Sequence, residues 1–267
     1  MKSFKGVTVL ITGASSGIGE AFARNLANRG ANLILTARSE DKLRQIASEL
    51  SEKHSIEVYI FRGDLSRPEV PQCLFTQVQF AELSVDVLIN NAGFGKWGHF
   101  LEGDYQTYQD MLNLNINALV SLTHLFLPMM VERGRGGIIN VASTAAFQPL
   151  PYVATYGATK AFVLSFSEAL WGEYRRHGLK ILALCPGNTS TDFAEVANAN
   201  VTKMTKAETP EKVAQVGLEA LLKGRSYAIS GGISNYLLAN VSRLLPRRRA
   251  IKTALGMFKP DSPSPIT

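Results

Sequence analysis

Seven short, almost unbroken apolar runs recur along the chain: VTVLIT (7 to 12), ANLILTA (31 to 37), IEVYIF (56 to 61), VDVLIN (85 to 90), GIINVA (137 to 142), LKILALC (179 to 185) and YAIS (227 to 230). Continuous rather than alternating apolar character marks strands covered on both faces. Between them, segments such as IGEAFARNLANRG and EDKLRQIASEL space their apolar residues three and four apart and stop at glycine or polar residues, which is helix patterning. Strand and helix alternating about six times predict right-handed crossovers. The fold class is therefore α/β, one doubly wound parallel sheet of about seven strands with helices on both faces. No linker divides it, so residues 1–232 form one unit and 233–267 a C-terminal helical extension with a polar, Pro-rich end.

Hydrophobic residues make up 46% and charged residues 19%, a globular balance with ample core. Cys73 and Cys185 are far apart and form no CxxC pair, so reduced thiols are expected rather than a disulfide framework or zinc ribbon. His54, His99, His124 and His177 are scattered without an HExxH, and no metal site is predicted. The N-terminus enters an apolar run within a few residues, leaving no room for a secretion signal, so a cytoplasmic protein is expected. LVSLTHLFLPMMV, interrupted by polar groups and Pro128, falls short of the roughly 20 residues of a bilayer span.

The net charge of +6 is concentrated in the tail. Arg243, Arg247, Arg248, Arg249, Lys252 and Lys259 lie in a stretch without an acidic residue, and the rest of the chain is nearly neutral.

The first strand runs into TGASSGIGEAFARNLA, where Gly13, Gly17 and Gly19 combine a tight turn with a helix N-terminus, a phosphate-binding arrangement. A purely structural strand-to-helix turn is the bland alternative. The same stretch holds a literal GxSxG around Ser15, the address of a hydrolase nucleophile. An elbow on the first strand has no preceding sheet to supply an oxyanion loop, and no histidine follows in an obvious catalytic position. At the end of the second strand, Arg38 stands where an NAD enzyme places a carboxylate, and its guanidinium suits a 2′-phosphate. GDL (63 to 65) and NNAG (90 to 93) end the third and fourth strands, on the side where open parallel sheets bind ligands.

With a serine closing the fifth strand, a YxxxK at 156 to 160 and CPG at 185 to 187, these motifs in this order resemble the short-chain dehydrogenase/reductase family over nearly the whole body. The resemblance implies a Rossmann-type fold and an NADP(H)-dependent oxidoreductase interconverting a carbonyl and an alcohol. It implies Ser143, Tyr156, Lys160 and Asn115 as catalytic residues: Tyr156 as proton donor, Lys160 lowering its pKa and holding the nicotinamide ribose, Ser143 orienting the carbonyl, and Asn115 supporting a proton-relay water. Asn113 and Asn117 compete with Asn115 for that register. Gly13, Ser15, Gly17, Ile18, Gly19, Arg38, Asp64, Leu65, Asn91, Ala92, Gly93, Pro186, Gly187, Thr189 and Thr191 match cofactor positions, together with Tyr156 and Lys160.

The chemistry has an independent basis. Residues four apart share a helix face, so the Lys160 ammonium can approach the Tyr156 phenol. At about 4 Å and a near-surface dielectric, the charges interact by about 4 kcal/mol, enough to bring a phenol from about 10 toward about 7. An exposed helix pair is the alternative for YxxxK alone.

Phe94, Trp97, Phe100, Phe147, Leu150, Tyr152, Phe193 and Met204 sit in the loops expected around a substrate, consistent either with a pocket for a lipophilic ketone or aldehyde or with ordinary loop packing. The long tail departs from the family's 3-oxoacyl carrier-protein reductases, which usually close shortly after the last strand. Its apolar residues at 233, 237, 241, 244 and 245 form an amphipathic pattern ending at Pro246, with arginines just beyond. Three roles fit: a peripheral membrane contact, a cover for the substrate pocket, or a subunit contact. The resemblance also implies a homodimer or homotetramer through the helices near 107–134 and 151–177. No nucleic-acid module accompanies the arginines. A catalytically silent NADP-binding sensor and a serine hydrolase using Ser15 are the rival functions.

Overall fold

The computed structural model describes residues 1–197 and 207–259; Met204, the Pro-rich end and the side chains of Arg243 and Leu244 lie outside the described parts. Seven strands, β1 (Thr8–Thr12), β2 (Asn32–Ala37), β3 (Val58–Arg62), β4 (Val87–Asn90), β5 (Gly136–Val141), β6 (Leu179–Cys185) and β7 (Tyr227–Ile229), form one parallel sheet in the order 3-2-1-4-5-6-7. The chain winds outward from β1 to β3, then returns to lay β4 on the other side of β1. The reversal opens a crevice at the carboxyl ends of β1 and β4, where such sheets bind ligands.

The strands are apolar throughout because successive side chains enter different cores. Val9, Ile11, Leu33 and Leu35 pack under α1 (Gly17–Ala27), α2 (Glu40–His54) and α8 (Pro210–Leu222), whereas Leu10, Ile34 and Leu88 pack under α3 (Val70–Phe80) and α5 (Ala118–Glu132). A buried polar chain then fixes α6 (Ala154–Tyr174) against the sheet. Asn90 Nδ2 donates to Asn140 Oδ1 at 2.9 Å and Thr123 Oγ1 at 3.2 Å; Asn140 Nδ2 donates to Ser167 Oγ at 2.9 Å, which donates to Val163 O at 2.7 Å. Asn90 Oδ1 has no partner among the described residues, but the bonds from Asn90 through Asn140 to Ser167 cross from β4 and β5 to α6 and hold the helix in register with both strands.

The apolar run around Pro128 is longer than its sequence suggests. α4 (Tyr105–Leu112), a π-helical turn over Asn113–Asn117 and α5 join into one 28-residue rod, Tyr105–Glu132, with a mean hydropathy of 1.5 over its most apolar window. Length and composition alone would allow this helix to cross a membrane. Pro128 does not end it because the residue is exposed, leaving the carbonyl it deprives of a partner open to water. The inner face, Leu122, Phe126 and Met130, belongs to the core beneath β4 and β5.

The extension forms two helices, α9 (Gly232–Leu244) and α10 (Arg247–Phe258), broken at Pro246. The orientation of α9 is opposite to that of a core-facing amphipathic helix. Asn235 and Ala239 face inward, whereas Ile233, Leu237 and Val241 face outward.

Candidate active site

β1 delivers Thr12 directly into the glycine turn. Gly13 (φ +65°) and Gly17 (φ +57°) occupy the left-handed region that side-chain-bearing residues avoid, and α1 then starts with its amide end facing the crevice. NNAG is sewn to this turn: Thr12 Oγ1 accepts from the amides of Asn91 and Ala92, both at 2.9 Å, while Asn91 Nδ2 donates to Thr12 O at 2.9 Å. The strand end and both loops thus form one rigid lip.

That lip borders a cleft of about 870 Å3 running across the carboxyl ends of the strands. Every cofactor residue named from the sequence lines it except Gly19. Gly19 instead sits in the first turn of α1, where a Cβ would collide with the Gly13 carbonyl, so its role is close helix–strand packing. Among the described residues no histidine lines the cleft, which leaves Ser15 without the base a hydrolase needs.

One end of the cleft is cationic. Arg38 lies just beyond β2, and Ser39, Lys42 and Arg67 join it on the lining. These three were not singled out from the sequence, although Lys42 is four residues from Arg38. Asp64 belongs to the same end. Burial pushes its carboxyl up, but Ser66, donating to Oδ1 from its hydroxyl at 2.8 Å and its amide at 3.1 Å, with Arg38 and Arg67 nearby, holds it below the usual carboxylate range. The residues therefore fit a dinucleotide: a backbone cradle for a pyrophosphate beside free cations for a further phosphate.

Ser143, Tyr156 and Lys160 line the middle of the same cleft. Ser143 caps a 3-10 turn over Thr144–Phe147, its Oγ accepting from Ala145 N at 3.1 Å. Lys160, almost fully buried, donates from Nζ to Val141 O at 2.8 Å, which anchors it to the end of β5. Its Nζ lies 5.7 Å from the centre of the Tyr156 ring.

The electrostatics reverse the expectation of an acidified phenol. Burial pushes the Tyr156 hydroxyl up to about 12, against a downward pull from its hydrogen bond with Ser143. Burial also pulls the Lys160 ammonium down to about 8. A near-surface dielectric does not apply where desolvation penalises both charged forms. The phenol is consequently protonated across the neutral range.

Asn115 is not on the cleft wall. It projects inward from the π-helical turn, where its Oδ1 accepts from Phe94 N at 3.1 Å and its Nδ2 donates to Phe94 O at 3.0 Å and Thr159 Oγ1 at 3.1 Å. Asn113 and Asn117 are less buried and hydrogen-bond to each other at 2.9 Å, so of the three asparagines Asn115 is the one turned inward.

The other end of the cleft is apolar. Of the loop residues expected there, Phe94, Trp97 and Leu150 line it, together with Phe193 at the start of the short α7 (Phe193–Val196). Phe100 stacks on Tyr108, Phe147 packs near Tyr227, and Tyr152 meets His99 edge-on. Phe258, unmarked by any motif, closes the apolar end from α10: its ring lies 5.0 Å from Trp97, whose Nε1 donates to Phe258 O at 3.0 Å. Asn235 and Ala239 complete the wall from α9, so the extension does cover the pocket.

The family model for short chain dehydrogenases matches residues 7–202. The chain belongs to the short-chain dehydrogenase family. Among curated proteins, this dehydrogenase is 32% identical over 260 residues to the very-long-chain 3-oxoacyl-CoA reductase of Rattus norvegicus, covering 95% of this chain and 80% of that one. Among solved structures it resembles a short-chain dehydrogenase from Sphingobium yanoikuyae in complex with NADPH, with a TM-score of 0.81, 27% identity and coverage of 98% and 99% of the two chains. The bulky-bulky ketone specific alcohol dehydrogenase from Comamonas testosteroni superposes with a TM-score of 0.77, 28% identity and coverage of 89% and 92%. The dehydrogenase is thus an oxidoreductase of the CH–OH/C=O type.

Proposed function

We propose that the protein is an NADPH-dependent carbonyl reductase acting on a lipophilic ketone or aldehyde. The observation that carries this reading is the junction in the cleft: Tyr156 and Ser143 stand between a cationic, phosphate-suited end and an apolar end closed by Trp97 and Phe258. NADPH, when bound, supplies the hydride. Arg38, Lys42 and Arg67 would hold its 2′-phosphate, and the Gly13–Gly17 turn its pyrophosphate. Tyr156 transfers its proton to the substrate oxygen, for which a phenol that stays protonated at neutral pH is the required state. Ser143 hydrogen-bonds the same oxygen and orients it. Lys160, fixed by Val141 O, would hold the nicotinamide ribose with its ammonium, and Asn115 braces the Phe94 backbone.

The named relatives support the substrate class, since a very-long-chain 3-oxoacyl thioester and a bulky ketone are both lipophilic carbonyls. The long tail separates this chain from the carrier-protein branch but not from 3-oxoacyl chemistry. The test is a panel of aliphatic, aromatic and 3-oxoacyl thioester carbonyls with NADPH and NADH, monitored by absorbance. Turnover with lipophilic members and a preference for NADPH are expected. Tight NADPH binding without oxidation by any member would instead identify a silent sensor. A fluorophosphonate probe should leave Ser15 unlabelled.

A further inference from the structure

The helices that wall the substrate cleft leave an apolar face uncovered on their outer side. On α9, Ile233, Tyr236, Leu237 and Val241 point outward, Ile233 being 79% and Leu237 55% exposed, while Asn235 and Ala239 face the cleft. Leu245 continues this face toward Pro246, and Ile251 and Leu255 add partly exposed apolar groups from α10.

The adjoining charge is as unusual. Arg247, Arg248 and Arg249 are exposed at the first turn of α10, where the helix dipole is positive and no acidic residue offsets them, and Lys252 follows one turn later. None of the ion pairs among the described residues involves these four cations. Apolar groups flanked by uncompensated cations match an anionic lipid surface, which takes the side chains into its acyl boundary and the guanidinium groups at its headgroups.

We infer that the outer face of α9 and the basic start of α10 dock the protein on anionic membrane, with the apolar end of the cleft directly behind the docked helices. The inference goes beyond the proposed reaction and does not depend on it. The test is flotation of the full chain with phosphatidylcholine vesicles, with and without phosphatidylglycerol. Binding is expected on the anionic vesicles, weakened by high salt. Replacing Arg247, Arg248 and Arg249 together by Gln should reduce it about a hundredfold. The pair Leu237→Asp and Val241→Asp should abolish it, with thermal melting and NADPH binding unchanged. Failure of the wild-type chain to float with anionic vesicles would overturn the inference. So would loss of self-association in the Asp pair, by sedimentation, without vesicle binding in the parent, which would assign the face to a second copy.

Discussion

The two ends of the cleft are built by different means. At the glycine end the cradle is backbone, made by the glycine turn, the amide end of α1 and the NNAG loop tied to Thr12, with the Arg38, Lys42 and Arg67 side chains beside it. At the apolar end the wall comes from side chains gathered across the chain, as in the Trp97 to Phe258 hydrogen bond, which joins residues 161 apart. Phosphate binding needs amides at fixed positions, and only a few residue types permit that backbone. An apolar wall needs only shape, which many residue combinations supply. The first end is therefore written in local motifs and the second is not.

Substitutions should separate these ends from the chemistry between them. The largest effect is expected for Tyr156→Phe: loss of the proton donor should lower kcat about a thousandfold while leaving the NADPH Kd unchanged. Equal weakening of NADPH binding would place Tyr156 at the nucleotide end instead.

Next is pH. Lys160 gives up its proton near 8 when folded but near its ordinary 10.5 when unfolded, so between these values the unfolded chain holds the extra proton and stability rises with pH. The gain is up to about 3 kcal/mol, visible in denaturant midpoints and absent from Lys160→Met. Tyr156, pushed from 10.0 to about 12, acts oppositely, so stability should fall again above about pH 10.

A smaller change is expected at the cationic end. Arg38→Asp should shift the ratio of kcat/KM for NADPH over NADH roughly thirtyfold toward NADH, as for loss of one charge-assisted hydrogen bond. An unaltered ratio would move phosphate selectivity to Lys42 and Arg67. Smallest is Phe258→Ala, which removes the ring packed on Trp97 and should raise KM for a lipophilic ketone about threefold, about 0.7 kcal/mol, without changing kcat.

The strands were legible because burial on both faces leaves an unbroken apolar signature, and the glycine turn because its backbone excludes other residues. Three features were not. The π-helical turn adds its extra residue within NLNIN without any local marker, so the inward asparagine was undetermined until its bonds to Phe94 and Thr159 appeared. The sign of the Tyr156 shift depended on burial, which residue spacing does not contain. Periodicity revealed the apolar stripe of α9 but not its direction. α9 turns its small face inward, with Asn235 so close to Gly187 and Gly231 that neither glycine could carry a side chain.

The bond between Trp97 and the carbonyl of Phe258 also has a consequence for shortened or fused forms of the chain. All seven strands precede Phe258 in the chain, so the sheet does not need the residue that closes the pocket in order to form. Any truncation or fusion that disturbs the last turn of α10 should yield a protein that folds and holds NADPH yet discriminates poorly among carbonyl compounds.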